Sequence, residues 1–257
     1  MAHDEARSDR LGRFLMKKVN RAVYEYDMIE DGDRVAVALS GGKDSFSLLE
    51  ILRYRQRFAP ERYTLVGIHV VGDARGPEMP PYPQFEEWLR DRGYEYLIRP
   101  SFVAEDEELP MSCERCTWNR RRTLFEMAKE MGCNRVAFGH HLDDMAQTAL
   151  LNLIFQGRNE TMEPVREFFG GELRLIRPLI YVPENEIRRF AAAHEFPAPP
   201  PACPRGEHTQ RTRMRELLVE MQRECRDVKK NLVRAALGKF GRRTADGARE
   251  GPPIRVC

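Results

Sequence analysis

The sequence predicts an α/β fold in which a mostly parallel sheet is flanked by helices. Short, β-branched apolar stretches alternate along the chain with longer stretches whose apolar residues recur at helical spacing. Two polar, glycine-containing segments, residues 40–45 (SGGKDS) and 139–144 (GHHLDD), each follow an apolar strand and precede a helix. Because ligands of open α/β sheets bind beyond the carboxyl ends of the strands, these two segments predict a ligand site at that edge.

The predicted strands are short apolar runs of the kind buried in a parallel sheet. The first follows the turn Asp31-Gly32-Asp33 and leads directly into the glycine-rich segment. The predicted strands are residues 34–39, 64–71, 95–98 and 135–138.

The predicted helices each carry an apolar stripe, and several have recognisable ends. In the first helix, Leu11, Leu15 and Val19 fall on one stripe with basic residues between them. Gly93 and Gly132 end two helices, and a proline begins another. The predicted helices are residues 8–28, the stretch that follows Ser45, and residues 83–92, 115–131, 142–155 and 183–194.

The overall charge is nearly balanced, with 42 Lys and Arg against 40 Asp and Glu, and 42% of the residues are apolar. This composition excludes a histone-like protein that coats polyanions, and it excludes a disordered chain. No apolar run approaches the roughly 18 residues of a membrane span. The first ten residues lack the apolar stretch of a signal peptide. We therefore expect a cytoplasmic protein with no membrane partner.

The composition changes along the chain and predicts four parts. Residues 1–29 form an N-terminal helical segment, and residues 30–200 form the α/β domain. Residues 201–243 contain the end of a proline-rich loop and a basic helical region, since residues 205–243 carry twelve Lys and Arg against five Asp and Glu. Residues 244–257 resemble a disordered tail.

The segment SGGKDS has the composition of a phosphate-binding turn. Gly41 and Gly42 permit a tight turn that exposes consecutive backbone N–H groups, the following helix adds its positive N-terminal end, and Lys43 adds a full charge. The spacing is neither that of a Walker loop nor that of a G-x-G-x-x-G dinucleotide turn. The simpler alternative is an ordinary glycine turn with a surface lysine, but it leaves Ser40, Asp44 and Ser45 unexplained.

The segment GHHLDD contains two carboxylates at the start of a predicted helix. Asp143 and Asp144 are typical residues for the first turn of a helix, so simple N-terminal capping is one interpretation. Carboxylates at this edge are also suitable ligands for Mg²⁺ on a nucleotide's phosphates. The segment GHHLDD follows a predicted strand, as SGGKDS does, and this shared position favours the functional interpretation.

The chain has six cysteines, and two of them, Cys113 and Cys116, form a C-x-x-C that precedes a basic helix. A third, Cys203, lies in the proline-rich loop. These three with His208 match the four ligands that structural zinc prefers, whereas a redox dithiol would require a thioredoxin-like setting that is absent. We expect Cys133 and Cys225 to be packing residues and Cys257 to be a tail thiol.

Taken together, SGGKDS and the later G-H-H-x-D-D resemble the PP-loop ATP pyrophosphatase superfamily. The resemblance implies a HUP-type (adenine nucleotide alpha hydrolase-like) domain that cleaves ATP to AMP and pyrophosphate and adenylates a carbonyl oxygen. With the C-x-x-C and Cys203 in this order, the chain from about residue 10 to 239 resembles the tRNA 2-thiocytidine synthetase (TtcA-like) family. It departs from many members at Pro200, Pro201 and Ala202, where a further cysteine is expected.

The resemblance implies a 4Fe–4S cluster held by Cys113, Cys116 and Cys203, with a fourth iron free to carry sulfur. It also implies ATP and Mg²⁺, a cytidine at position 32 in the tRNA anticodon loop as the substrate, a cysteine desulfurase or inorganic sulfide as the sulfur donor, and a homodimer. Thiolation of another tRNA base or of a small molecule, and a zinc-stabilised nucleotide-binding protein, remain alternatives.

The resemblance also assigns roles to individual residues. The predicted catalytic residues are Lys43, Asp44 and Asp143. The predicted ATP-binding residues are Ala38, Leu39, Ser40, Gly41, Gly42, Lys43, Asp44, Ser45, His69, Gly139, His140, Asp143 and Asp144. The predicted RNA-binding residues are Arg120, Arg121, Arg122, Arg211 and Arg213, for which a solvated helix face is the alternative.

Overall fold

The computed structural model describes residues 2–77, 83–199, 210–238, 242–243 and 249–250. Its main sheet has six strands in the order β3-β2-β1-β4-β6-β5, and only β5 runs antiparallel to its neighbour. The strands are β1 (Arg34–Ala38), β2 (Thr64–Val71), β3 (Glu95–Pro100), β4 (Arg135–Ala137), β5 (Val165–Phe168) and β6 (Leu173–Ile176). Two further short strands, β7 (Arg242–Arg243) and β8 (Arg249–Glu250), pair with each other.

The strand order reverses between β1 and β4, which pair in parallel from Val35 opposite Arg135 to Val37 opposite Ala137. The chain continues from β1 to β2 and β3 on one side and adds β4, β6 and β5 on the other. A reversal of this kind opens a crevice at the carboxyl ends of the two central strands. Both polar segments follow these two strands, so the topology brings them together.

Helices cover both faces of the sheet. The helices are α1 (Ala2–Glu25), α2 (Lys43–Arg55), α3 (Pro83–Asp91), α4 (Cys113–Glu130), α5 (Leu142–Gln156), α6 (Glu184–Ala191), α7 (Gln210–Glu224) and α8 (Val228–Leu237). Along β1, Val35 and Val37 pack into the core beneath α1, α2 and α5, whereas Ala36 packs into the core beneath α4. This alternation is the two-residue period of a strand that is buried on both faces.

The prediction of a mostly parallel α/β sheet flanked by helices is confirmed, and all four predicted strands are present. The sequence analysis missed β5 and β6, because these four-residue strands contain Arg166, Glu167 and Arg174 between their apolar residues. They form a hairpin whose turn includes Gly170 at φ 68°. The largest difference at a helix boundary concerns α1, which begins at Ala2 and not at residue 8. Helix α4 begins at Cys113 and therefore includes both cysteines of the C-x-x-C.

The predicted domain boundaries stay predictions. The buried residues Leu15, Val19 and Val23 of α1 share one apolar core with α2 and α6. Most of the proline-rich loop, including Cys203 and His208, lies outside the described residues. Of the predicted tail, only Arg249 and Glu250 are described, as strand β8. None of the described helices is long and apolar enough to cross a bilayer.

A buried arginine fixes α1 against the sheet domain. Arg55, at the end of α2, is fully buried; its Nε donates to Asn20 Oδ1 of α1 at 2.8 Å and its Nη2 donates to Glu61 Oε2 at 2.8 Å. Its guanidinium also lies 5.4 Å from the centre of the Tyr24 ring. Arg55 therefore joins α1, α2 and the loop before β2: Glu61 neutralises its charge, and its Nε–H has a partner only when α1 is docked.

Replacing this arginine by methionine, Arg55→Met, is expected to lower the free energy of unfolding by about 3 kcal/mol, because Glu61 and Asn20 lose their buried partner. Denaturant unfolding followed by circular dichroism measures the change. The matched control is Arg57→Met, at an exposed site two residues away, where we expect a loss below about 1 kcal/mol. Equal losses in the two variants would contradict the role given to Arg55.

Candidate active site

The glycine-rich turn between β1 and α2 is held open by its own serines. Gly41 has a φ of 85°, a left-handed conformation that favours glycine. Ser45 Oγ donates to the Gly42 carbonyl at 2.9 Å, and the Ser40 and Gly42 N–H groups donate to Ser45 Oγ at 3.2 Å and to Ser40 Oγ at 3.3 Å. No side chain caps the N-terminus of α2. The first-turn N–H groups and the helix dipole are therefore directed to an external anion.

The second polar segment touches this turn through its backbone. A Cβ atom at Gly139 would lie 3.2 Å from the carbonyl carbon of Asp44, 3.2 Å from the Ser45 nitrogen and 3.3 Å from the Asp44 oxygen. These are backbone atoms at the start of α2, which cannot move as a flexible side chain would. Gly139 is therefore required for the close contact between the two segments.

A cavity of about 390 Å³ lies where the two segments meet, a size suited to a small-molecule ligand. One wall comes from the turn after β1, another from the segment after β4, and the third from α4. The cavity is lined by Ala38, Leu39, Ser40, Asp44, Ser45, Val70, Thr117, Arg120, Arg121, Leu124, Phe138, Gly139, His140 and Asp144. Of the predicted ATP-binding residues, Gly41, Gly42, Lys43, His69 and Asp143 are not in this lining.

The side chain of Lys43 is held beside the cavity by two carboxylates. Its Nζ lies 3.1 Å from Asp44 Oδ1 and 3.1 Å from Glu184 Oε1. Glu184 begins α6 and also pairs with Arg215 of α7 at 2.9 Å. The sequence analysis missed Glu184, and the only available signal was an acidic residue directly after the proline that precedes α6.

The ion pair between Lys43 and Glu184 is charged at all physiological pH values. Partial burial disfavours both charges, but the hydrogen bond and charge of Lys43, together with Arg215, lower the pKa of Glu184 to about 2. In the same way, Asp44 and Glu184 outweigh burial and raise the pKa of Lys43 above its usual value. Lys43 is therefore a fixed cation beside the turn.

Asp44 and Asp144 bring two carboxylates to one side of the cavity, with His141 between them. His141 Nε2 lies 3.5 Å from Asp144 Oδ2 and 3.8 Å from Asp44 Oδ1. Burial, and then the charge of Asp44, raise the pKa of Asp144, although His141 opposes this shift. Oδ1 of Asp44 is buried and receives no well-aligned hydrogen bond, despite the nearby Lys43 ammonium. A divalent cation would satisfy this oxygen and relieve the repulsion between the two carboxylates.

Asp143, which was predicted to be catalytic, does not line the cavity with Asp44 and Asp144. Its Oδ2 accepts the Glu184 N–H at 2.8 Å, and its Oδ1 lies 2.5 Å from Lys229 Nζ of α8. Neighbouring residues of a helix point about 100° apart, so Asp143 and Asp144 are directed to different surroundings. The structure places Asp144 at the cavity, whereas Asp143 joins α5 to α6 and α8.

The two predicted histidines occupy different environments. His69 is buried, and its Nδ1 lies 2.7 Å from the Leu39 carbonyl, so the ring donates to the end of β1 and does not reach the cavity. His140 lines the cavity. Burial, followed by the charges of Arg177 and Arg211, lowers the pKa of His140 to about 3, so this ring is neutral at physiological pH.

The predicted RNA-binding arginines separate into three groups. Arg120 donates to the carbonyls of Val70 and Gly72, so it is bound to the end of β2 and is not a free surface cation. Arg121 lines the cavity, and Arg122 is exposed on the outer side of α4. Arg211 and Arg213 are exposed at the start of α7.

None of the four cysteines in the described part of the chain forms a disulfide. Cys113 and Cys116 lie in the first turn of α4, one helical turn apart, and both reach the surface to some extent. Cys133 is a packing residue, as predicted, and burial raises the pKa of its thiol to about 11. The prediction for Cys225 is wrong, because this residue follows the end of α7 and is exposed.

Comparison with known proteins shows the family to which the chain belongs. Residues 13–221 match the model of the PP-loop domain family. A tRNA-cytidine(32) 2-sulfurtransferase of Citrifermentans bemidjiense is 39% identical over 228 residues, which are 86% of this chain and 88% of the relative. The chain belongs to this PP-loop family. A tRNA-cytidine(32) 2-sulfurtransferase of Geobacter sulfurreducens is also 39% identical, over 84% of this chain and 86% of the relative.

A solved PP-loop structure supports the fold. The U34-tRNA thiolase NcsA of Methanococcus maripaludis, described with its 4Fe–4S cluster, has a TM-score of 0.67 and 24% sequence identity, and the match covers 88% of this chain and 78% of that one. The expected HUP-type architecture is thereby confirmed.

The contact at Gly139 leads to a prediction for this PP-loop protein. Gly139→Ala is expected to weaken ATP binding at least about tenfold, because the new methyl group forces the start of α2 away from β4. Isothermal titration calorimetry with a non-hydrolysable ATP analogue measures the effect. The matched control is Gly12→Ala in α1, where the new Cβ lies in ordinary contact with the Tyr54 ring at 3.6 Å. Unchanged affinity in a folded Gly139→Ala protein would contradict the close approach.

Proposed function

We propose that this protein is an ATP-dependent tRNA sulfurtransferase that forms 2-thiocytidine at position 32 of the anticodon loop. The observation that carries the proposal is the similarity over 86% of the chain to a relative named tRNA-cytidine(32) 2-sulfurtransferase. The site agrees with this activity, since its cavity combines an anion-binding helix end with two carboxylates, and a fixed lysine lies beside it. Cytoplasmic localisation, a cysteine desulfurase or inorganic sulfide as the sulfur donor, and a homodimer belong to the same proposal.

The cavity supports a definite orientation for ATP. Phosphates bind the open N–H groups of the first turn of α2, while apolar side chains such as Leu39, Val70 and Phe138 contact the adenine. Lys43 neutralises the charge that develops on the leaving pyrophosphate. Asp44 and Asp144 would hold a Mg²⁺ ion, which would neutralise charge on the phosphates as a Lewis acid.

The reaction divides into two displacements. The C2 oxygen of cytidine attacks the α-phosphorus of ATP, so an O–P bond forms while the bond to pyrophosphate breaks. Sulfide then attacks C2, the C–S bond forms, and the C2–O bond breaks to release AMP. Cavity residues contribute by positioning the α-phosphate and by neutralising each leaving group.

The first turn of α4 contains two cysteines that suit an iron–sulfur cluster as ligands. Cys113 and Cys116 are one turn apart and both reach the surface to some extent, and Thr117 beside them lines the cavity. The positive end of a helix favours anionic ligands of this kind. Cys203, the proposed third ligand, lies outside the described residues. A 4Fe–4S cluster bound by these cysteines would supply an iron able to carry the sulfur to be transferred.

The activity is tested in a bacterial strain that lacks 2-thiocytidine. Expression of this chain is expected to restore 2-thiocytidine in digested tRNA, measured by mass spectrometry, and Lys43→Ala is expected to lower it at least about a hundredfold. Lys43→Ala protein should retain its iron, because Lys43 is remote from the cysteines in sequence and is paired to Asp44 and Glu184. The proposal fails if wild-type chain restores no 2-thiocytidine or if Lys43→Ala is fully active.

The metal content distinguishes a cluster from zinc. Protein purified without oxygen is expected to be brown and to contain about four iron atoms per chain. Cys113→Ser and Cys116→Ser should each abolish most of this iron. The matched control is Cys225→Ser, which removes another exposed thiol and should leave the iron content unchanged. A colourless protein with stoichiometric zinc would instead establish the zinc-stabilised alternative.

A further inference from the structure

Two aromatic side chains are exposed on or beside α4, the helix that forms one wall of the cavity. Trp118 on α4 is 52% exposed, and Phe102, just after β3, is 39% exposed. The chain has two tryptophans, and the other, Trp88, is 7% exposed in the core, with its Nε1 donating to the Glu195 carbonyl. A half-exposed tryptophan leaves apolar ring surface that a ligand can cover.

Arginines surround these two rings. The guanidinium of Arg122 lies 4.3 Å from the centre of the Phe102 ring and 5.9 Å from Trp118, and that of Arg115 lies 5.2 Å from Trp118. Arg115 also pairs with Glu107, and Arg122 pairs with Glu126 on the exposed surface. Arginine planes and aromatic rings are the groups on which proteins stack unpaired RNA bases.

The position of the rings connects them to the reacting site. Thr117 and Arg121, which precede and follow Trp118 on α4, both line the cavity, and Cys116 lies two residues before it. Within the described ranges, Arg121 is exposed and has no carboxylate in ion-pair distance, so its charge is available to a phosphate. An RNA strand that brings its reacting base to this cavity, where we place ATP, therefore passes along the wall formed by α4, on which Trp118 lies.

We propose that Trp118 and Phe102, with Arg122 between them, form a platform that stacks an unpaired RNA base next to the nucleotide being modified. The platform deepens the proposed function and rests on it, because it supplies a binding site for the substrate's neighbouring base. A nucleic acid suits this surface better than a protein. A guanidinium lies next to each ring, the exposed guanidinium of Arg121 is close by on α4, and these positive charges attract phosphates.

Intrinsic fluorescence provides a direct test, because Trp118 is the exposed tryptophan. The probes are a seven-nucleotide oligocytidylate RNA and an abasic ribose-phosphate oligomer of the same length and charge, each titrated into full-length protein. The oligocytidylate is expected to quench the emission and the abasic oligomer to leave it unchanged. Equal responses to the two probes would show a purely electrostatic contact and would overturn the platform.

Variants measure the contribution of each ring by anisotropy of the labelled oligocytidylate. Trp118→Ala is expected to weaken binding about tenfold, Phe102→Ala to weaken it less, and Trp118→Phe to retain most of it, because stacking requires only an aromatic face. Phe58→Ala is the matched control, since Phe58 is 60% exposed and follows α2 at the opposite edge of the sheet. Thermal unfolding establishes that each variant is folded.

The test of the platform can fail independently of the test of 2-thiocytidine formation. Wild-type affinity in folded Trp118→Ala and Phe102→Ala overturns the platform, even if the chain still restores 2-thiocytidine. A change of sedimentation in Trp118→Ala with unchanged RNA binding also overturns it, and assigns the surface to a second copy of the chain. Loss of RNA binding with normal ATP binding in Trp118→Ala supports it, whichever nucleoside the enzyme modifies.

Discussion

The close approach of Gly139 to the backbone of Asp44 and Ser45 is the constraint on which the site depends. It holds the segment after β4 against the turn after β1, at the point where the strand order reverses. The phosphate-binding turn, Asp144 and His140 therefore surround one cavity. Since the contact is between backbones, it has little freedom to adjust, and a Cβ atom at residue 139 would require the start of α2 to shift.

Ion pairs near this contact connect the site to the C-terminal helices α7 and α8. Glu184 joins Lys43 to Arg215 of α7, and Asp143 joins the backbone of Glu184 to Lys229 of α8. Helices α7 and α8 also pack on α5, which begins with the second polar segment. The basic C-terminal region is therefore attached to the nucleotide site through ion pairs that are partly or largely buried, in addition to its apolar contacts.

Much of the fold could be predicted because it follows from local patterns. The strand β1 and the turn after it could be recognised from RVAVALSGGKDS, since apolar runs, paired glycines and a lysine have few structural interpretations. Strands β5 and β6 could not, because a four-residue strand with alternating charges has no periodic signal of its own. Glu184 was missed for a related reason: its partner, Lys43, is far away in sequence and next to it only in the folded chain.

The sequence by itself determined the α/β alternation, the phosphate-binding turn and the presence of a C-x-x-C before a basic helix. These features are encoded by residues close to one another in the chain. The tertiary structure decided which side chains share the cavity: Asp144 and Arg121 face it, Asp143 is neutralised by Lys229, and Arg120 is bound to strand-end carbonyls. Such choices depend on helix rotation and long-range pairing, which composition and spacing do not specify.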